Sequence, residues 1–264
     1  MTRPVDTKQG GAVRRLVREN VSWIGELLAL RGSPIYAATG LPRGDDTAVL
    51  VIPGFLEADA AVRTLCTWLR RTGRRPSTPE VKLNADCGEA TVRRLERQLE
   101  HMATESGGRV AIIGHSRGGH TARVLAVRRP DLVSGIVTLA TPTLGRRGAI
   151  HPAPLLLLWV MTALGTLGVP GLLKRSCFTG ACCSAYRGDL EGLFPPNVGF
   201  VELLSKQDGF VDCNAVAHAG GERRWVAASH VGFVVNAEAY AAISDALASF
   251  KAPAKDRAVV SIAR

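Results

Sequence analysis

The chain is 264 residues long, 46% apolar and only 5% aromatic, enough for one large domain with a buried core. Its formal charge is +10, yet Lys and Arg are scattered along the chain and aromatics for base stacking are few, which argues against nucleic-acid binding. Six of the 33 basic residues are Lys, an arginine excess that reads as composition bias, although a basic surface suits association with an anionic membrane.

Residues 1–12 are polar. From Val13 onward Val13, Leu16, Val17, Val21, Ile24, Leu27 and Leu28 recur at helical spacing opposite Arg14, Arg15 and Arg18, which predicts an amphipathic helix packed on the domain by its apolar stripe. These charges, with Glu19 and Glu26, leave no unbroken apolar core for a signal peptide, so a cytoplasmic or peripheral-membrane location is expected. Gly32 to Gly44 reads as loop, closing an N-terminal segment of residues 1–44.

Ala48 to Ile52 (AVLVI) is a buried strand running into Pro53-Gly54-Phe55, and Ala61, Val62, Leu65, Trp68 and Leu69 form the inner face of a helix ending near Gly73. A weak strand signal lies at Val81 to Leu83, then Val92, Leu95, Leu99 and Met102 mark a helix from Glu89 to Ser106. Val110 to Ile113 is a further strand, followed by a helix over Thr121 to Arg129 that Pro130 stops, and by an apolar strand from Val133 to Ala140. Strands alternating with helices of this length predict an α/β fold with a mostly parallel, doubly wound sheet and helices on both faces.

The alternation breaks over residues 142–199. Pro152 to Leu173 is uncharged and long enough to screen as a membrane span, but Pro and Gly interrupt it and it sits between two strands of one sheet. It is read as a cap or lid with an apolar underside. Phe200 to Leu204 resumes the sheet, a turn with Asp208 and Asp212 leads into a short helix through His218, and Arg223 to Ala228 is a last strand. A final helix over Ala237 to Phe250 closes a domain of residues 45–250, leaving 251–264 as a tail.

Chemistry concentrates at Gly114-His115-Ser116-Arg117-Gly118, between a clear strand and a clear helix. A serine at the apex of so tight a turn needs glycine on either side to let strand and helix close, and it stands at a helix N-terminus whose amides can receive an anion. Ser116 is the candidate nucleophile. It needs a general base, which in turn needs an orienting carboxylate, in the chain order Ser, acid, His. Asp208 is the favoured acid, with Gly209 beside it suiting an exposed loop tip, while Asp212 is read as capping the next helix. His101, His115, His120 and His151 precede both acids, His218 ends a helix, and His230 directly follows the last strand and is the candidate base. His115 is expected to point away from the apex. The amides of Arg117 and Phe55 are the candidate oxyanion donors.

GHSRGG followed by HTAR and by RRPDLVSGIVTLATP resembles the α/β-hydrolase lipases and esterases, over about Ala48 to Tyr240. The SKQDGFVD and SHVGF segments are similar to the acid and histidine loops of a lipase-like subgroup that also carries a Cys-Cys pair before the acid. The resemblance implies Ser116, Asp208 and His230 as catalytic residues, with Phe55 and Arg117 as oxyanion donors. The sequence departs from the family where the common His-Gly of the oxyanion loop is Pro53-Gly54. The activity expected is that of a serine hydrolase of lipid-like esters, with an acyltransferase or lipid deacylase using the same triad, or a non-catalytic binding protein, as rivals. A small-molecule ester or lipid and a membrane surface are the partners expected.

Cys66, Cys87, Cys177, Cys182, Cys183 and Cys213 show no Cys-x-x-Cys pair or zinc-spaced Cys/His quartet. Disulfides or buried thiols are therefore expected ahead of a metal site, and neither a metal nor an organic cofactor is expected.

Overall fold

The computed structural model describes residues 11–44, 46–142, 149–213 and 220–250, with the side chains of residues 11–18 and 20 outside that description. The short helix expected through His218 and the tail lie outside the described residues. An N-terminal helix α1 (Gly11–Arg31) precedes β1 (Ala48–Ile52), α2 (Arg63–Arg71) and β2 (Arg75–Ser77). Then follow α3 (Gly88–Ser106), β3 (Val110–His115), α4 (Arg117–Arg128) and β4 (Val133–Leu139). The cap contributes α5 (Pro152–Thr166), α6 (Arg175–Thr179) and α7 (Ser184–Glu191), before β5 (Gly199–Leu204), β6 (Glu222–Trp225) and α8 (Ala237–Ser249).

The strands form one sheet in the order β2-β1-β3-β4-β5-β6, with every neighbouring pair parallel. Strand alternation divides the core. Val49, Val51, Ala111, Ile113, Val137 and Leu203 face Trp68 of α2, Tyr240 of α8 and Leu30 of α1. Leu50, Ile52, Val110, Ile112 and Ile136 face Leu95 and Leu99 of α3 and Leu125 of α4. All of these side chains are buried, each of the larger ones contributing roughly 1.5–3 kcal/mol when fully withdrawn from water.

Two expectations fail. The strand read at Val81 to Leu83 is loop, with Leu83 exposed, and the edge strand is Arg75–Ser77 instead. An edge strand pairs on one side only and tolerates Pro76, so it needs no apolar alternation and shows none. The described part of the α1 stripe is split: Val21, Ile24 and Leu28 are exposed, while Leu27 packs inward with Trp23 and Leu30, which lie outside the stripe, and Glu19 is 1% exposed. The helix docks here by hydrogen bonds as much as by hydrocarbon.

The cap segment is apolar on both of its sides. Pro154, Leu157, Leu158 and Leu173 do turn toward an internal cavity, but Leu156, Trp159, Val160 and Leu167 are exposed. A helix apolar all round leaves one face uncovered when it packs on only one side. No helix among the described residues is long and apolar enough to cross a membrane.

Candidate active site

Ser116 lies between β3 and α4 with φ 49° and ψ −117°, a conformation a side-chain-bearing residue adopts only when its surroundings impose it. The surroundings are visible. Its amide donates to the Leu139 carbonyl at 2.7 Å, and its carbonyl accepts from Gly119 N and from Thr141 Oγ1, each at 3.0 Å. A Cβ on Gly114 would overlap the Gly118 backbone, and one on Gly118 would overlap the carbonyls of Ile52 and Pro53. The two glycines therefore let α4 meet the ends of β1 and β3 with the serine raised between them.

The acid and histidine loops leave the carboxyl ends of β5 and β6. Asp208 Oδ1 accepts from the amides of Phe210 and Val211, both at 2.8 Å, which fixes the carboxylate. His230 Nδ1 donates to Asp208 at 2.9 Å (Oδ2) and 3.1 Å (Oδ1). Both side chains are almost fully buried, so Asp208 is not the exposed loop tip expected from Gly209. Asp212 lies further along, its amide bonded to the Ala149 carbonyl at 3.1 Å beside the Ile150–Val211 bridge. Ser116 and His230 line the same cavity. The ring of His230 is bonded to Asp208 and not to the serine hydroxyl among the described residues.

The loop after β1 presents the other polar edge of that cavity. The Gly54 amide donates to Glu57 Oε2 at 2.5 Å, Leu56 N to the Asn84 carbonyl at 3.1 Å and Glu57 N to the Gly54 carbonyl at 3.2 Å. The Phe55 amide between them has no acceptor among the described residues, and Phe55, Ser116 and Arg117 all line the cavity. The Arg117 guanidinium turns elsewhere, onto the carbonyls of Asn84 and Asp86 and onto Asn84 Oδ1.

Several ionisable groups around the site escaped the sequence reading. His115 does not merely pack: its Nδ1 is 2.9 Å from Glu57 Oε2 and its Nε2 donates to the His230 carbonyl at 2.9 Å. Burial alone would discharge this imidazolium, but the Glu57 carboxylate outweighs it and raises its pKa above 6.5. Burial likewise works against ionised Glu57, and the His115 charge and hydrogen bond overcome it and hold the carboxyl below 4.5. Glu19 of α1 accepts from Gly209 N at 2.6 Å and His230 N at 2.7 Å. Its pKa is raised above 4.5, first by burial and then by the Asp208 charge, against the pull of those two amides. Glu26 accepts from Ser229 N and Asn236 Nδ2, each at 2.9 Å.

The cavity measures about 420 Å³ and runs from Ser116 and His230 under the cap, past Leu157, Leu158 and Phe178. That size suits one small organic ligand or a single acyl chain. Elsewhere, Cys66 is buried in the core, and Cys87 lies with Cys177, Cys182 and Cys183 in a group able to hold a metal ion.

Residues 76–167 match the family described as the α/β hydrolase fold. A probable cytosol aminopeptidase of Synechococcus sp. is 25% identical over 163 residues, covering 54% of this chain and 29% of its own length. The sn-1-specific diacylglycerol lipase ABHD11 of Mus musculus is 27% identical over 125 residues, covering 45% of this chain and 41% of its own. The chain thus spans less than half the length of these curated relatives. A solved carboxylesterase structure from Nitrososphaera gargenis superposes with a TM-score of 0.55 at 17% identity, covering 78% of this chain and 91% of that one. The parallel sheet order and the serine elbow between β3 and α4, together with the structural likeness, show that the chain has the α/β-hydrolase fold.

Proposed function

We propose that the chain is a serine hydrolase of carboxylic esters with a lipid-like acyl group. The observation that carries this reading is the buried His230–Asp208 pair, opening onto the same apolar cavity as the strained Ser116. A serine hydroxyl is a poor nucleophile unless a base takes its proton as it attacks. Ser116 Oγ attacks the acyl carbon while His230 Nε2 takes the proton, and Asp208 holds the Nδ1–H tautomer and stabilises the imidazolium. The charge that develops on the acyl oxygen falls to the amides of Phe55 and Arg117. His230 then passes its proton to the leaving alcohol. Water, deprotonated by the same imidazole, attacks the acyl-enzyme; as the acyl–Oγ bond breaks the imidazolium returns that proton to Ser116 Oγ, and the acid leaves.

The substrate class rests on the cavity wall: Pro154, Leu157, Leu158 and Leu173 from the cap offer hydrocarbon and little else. The exposed outer side of α5, with Leu156, Trp159 and Val160, is where the protein would meet a lipid surface. The test is hydrolysis of p-nitrophenyl esters from acetyl to palmitoyl by the protein and by Ser116→Ala. The expected result is activity that favours longer chains, falls at least about 10⁴-fold in the variant, and coincides with fluorophosphonate labelling of Ser116. Short-chain activity alone would refute the lipid assignment. A labelled serine with acyl transfer to added alcohol in place of hydrolysis would make it an acyltransferase, and no labelling at all would leave a binding protein.

A further inference from the structure

Behind the cavity the chain gathers four of its six cysteines. Cys87 belongs to the core domain, at the residue before α3. Cys177 lies in α6 of the cap, and Cys182 and Cys183 follow in the short helical turn Ala181–Cys183. Their sulfurs all lie within 4.8 Å of one another, with Cys87 to Cys183 at 3.3 Å and Cys182 to Cys183 at 3.9 Å. A zinc ion with four thiolates at about 2.3 Å sets neighbouring sulfurs roughly 3.8 Å apart at tetrahedral angles. All four cysteines are unpaired with respect to disulfides.

Polar groups of both the cap and the core close around the four sulfurs. The Lys174 amide points at Cys177 Sγ at 3.4 Å. Arg187 closes the ligand loop by donating to the carbonyls of Cys177 (2.8 Å) and Gly180 (2.9 Å), which brings a cation to it. Arg117 anchors on the Asp86 carbonyl next to Cys87.

We propose that Cys87, Cys177, Cys182 and Cys183 form a closed four-thiolate site for one soft divalent ion, zinc by preference, which clasps the cap to the core. Binding displaces the four thiol protons to solvent and leaves no position open for water, so the ion is structural. Two of its ligands, Cys177 and Cys183, also line the substrate cavity. The clasp therefore fixes the wall of that cavity, whatever the reaction.

The test is the metal content of the full chain purified without chelator, with cobalt substitution as a second readout. One equivalent of zinc per chain is expected, released by a mercurial thiol reagent, and cobalt should give thiolate charge-transfer and tetrahedral d–d bands. Cys182→Ser, at the exposed ligand, should lose at least tenfold in zinc affinity and unfold at a lower temperature. Cys66→Ser and Cys213→Ser should keep the metal. A metal-free chain lighter by the hydrogens that two disulfides remove would overturn the proposal, and so would a metal-free chain with six titratable thiols. If variants fail to fold, the wild-type zinc content and cobalt spectrum still decide.

Discussion

Glu19 offers the sharpest perturbation away from the reacting atoms. Its carboxylate, 1% exposed, ties the acid loop at Gly209 N to the histidine loop at His230 N, two segments that otherwise leave different strands. Hydrogen bonds to a charged acceptor are worth about 1.5–3 kcal/mol each, and a buried amide left without an acceptor costs about 1–3 kcal/mol. Glu19→Ala therefore removes two such bonds, offset in part because a buried carboxylate next to Asp208 no longer has to be kept ionised. A net loss of about 2–4 kcal/mol is expected, read as a shift of the urea midpoint at constant slope. Displacement of a catalytic group by about 1 Å costs on the order of 10²-fold, so kcat should fall about 10- to 100-fold with KM nearly unchanged.

The pH dependence separates this from a generic packing defect. The folded pKa of Glu19 is raised above 4.5. Its contribution to stability is thus fully present below 4.5 and declines as pH rises through the raised value. Glu19→Gln cannot ionise and should flatten that part of the profile, while its amide nitrogen faces one of the two backbone donors and forfeits one bond. If Glu19→Ala unfolds within about 0.5 kcal/mol of wild type, the range of a neutral surface change, and turns over at the same rate, the strap does not hold the site.

Other perturbations bear on the remaining parts. Asp208→Asn should leave the fold intact and lower kcat by about 10⁴-fold through the wrong imidazole tautomer; Asp212→Asn should stay within a few fold, and equal losses would mean that the acid has been misassigned. His115→Gln removes a cation whose stabilisation is complete below 6.5 and fades as pH climbs through its raised pKa, so its stability deficit against wild type should shrink toward alkaline pH. A deficit independent of pH would show that His115 is neutral in the folded state. Leu158→Trp narrows the cavity under the cap and should cost long-chain esters at least tenfold more than acetyl esters, whereas equal losses would place the acyl chain elsewhere.

The elbow was legible because everything that forces it is local. Gly114, Ser116 and Gly118 lie within five consecutive positions, and the strand and helix around them carry their own periodicity. Chain order narrowed the candidates to Asp208 or Asp212 and His218 or His230, and the structure pairs Asp208 with His230, although the sequence favours Asp208 for an exposed loop tip that it does not occupy. Contacts made across the fold were not legible. Glu19 sits 190 residues from Gly209 and 211 from His230, and the apolar stripe of its helix drew attention to Val21, Ile24 and Leu28, which are exposed. His115 pairs with Glu57 across 58 residues, and local turn geometry gave no hint of a carboxylate waiting there. The gathering of the cysteines was missed for the same reason: Cys87 lies 96 residues from Cys183, and the spacing of Cys177, Cys182 and Cys183 matches no Cys-x-x-Cys pattern.

His230 is held at three points by three different segments. Asp208 fixes its ring, Glu19 its amide and His115 its carbonyl. A histidine on a loop after an edge strand has no ladder to orient it, and the role proposed for His230, meeting a hydroxyl within a few tenths of an ångström, cannot depend on loop packing alone. The charges that hold it alternate in sign around the ring: Glu57 supports His115, and Asp208 is positioned to support an imidazolium at His230. Glu19 breaks the pattern, adding a carboxylate beside Asp208 that has no bonded cation among the described residues, and burial followed by the Asp208 charge raises its pKa. A buried charge left partly uncompensated beside the proposed acid and base is costly to the fold. Holding the histidine loop offsets that cost, since the two amides it binds belong to the loops that carry Asp208 and His230.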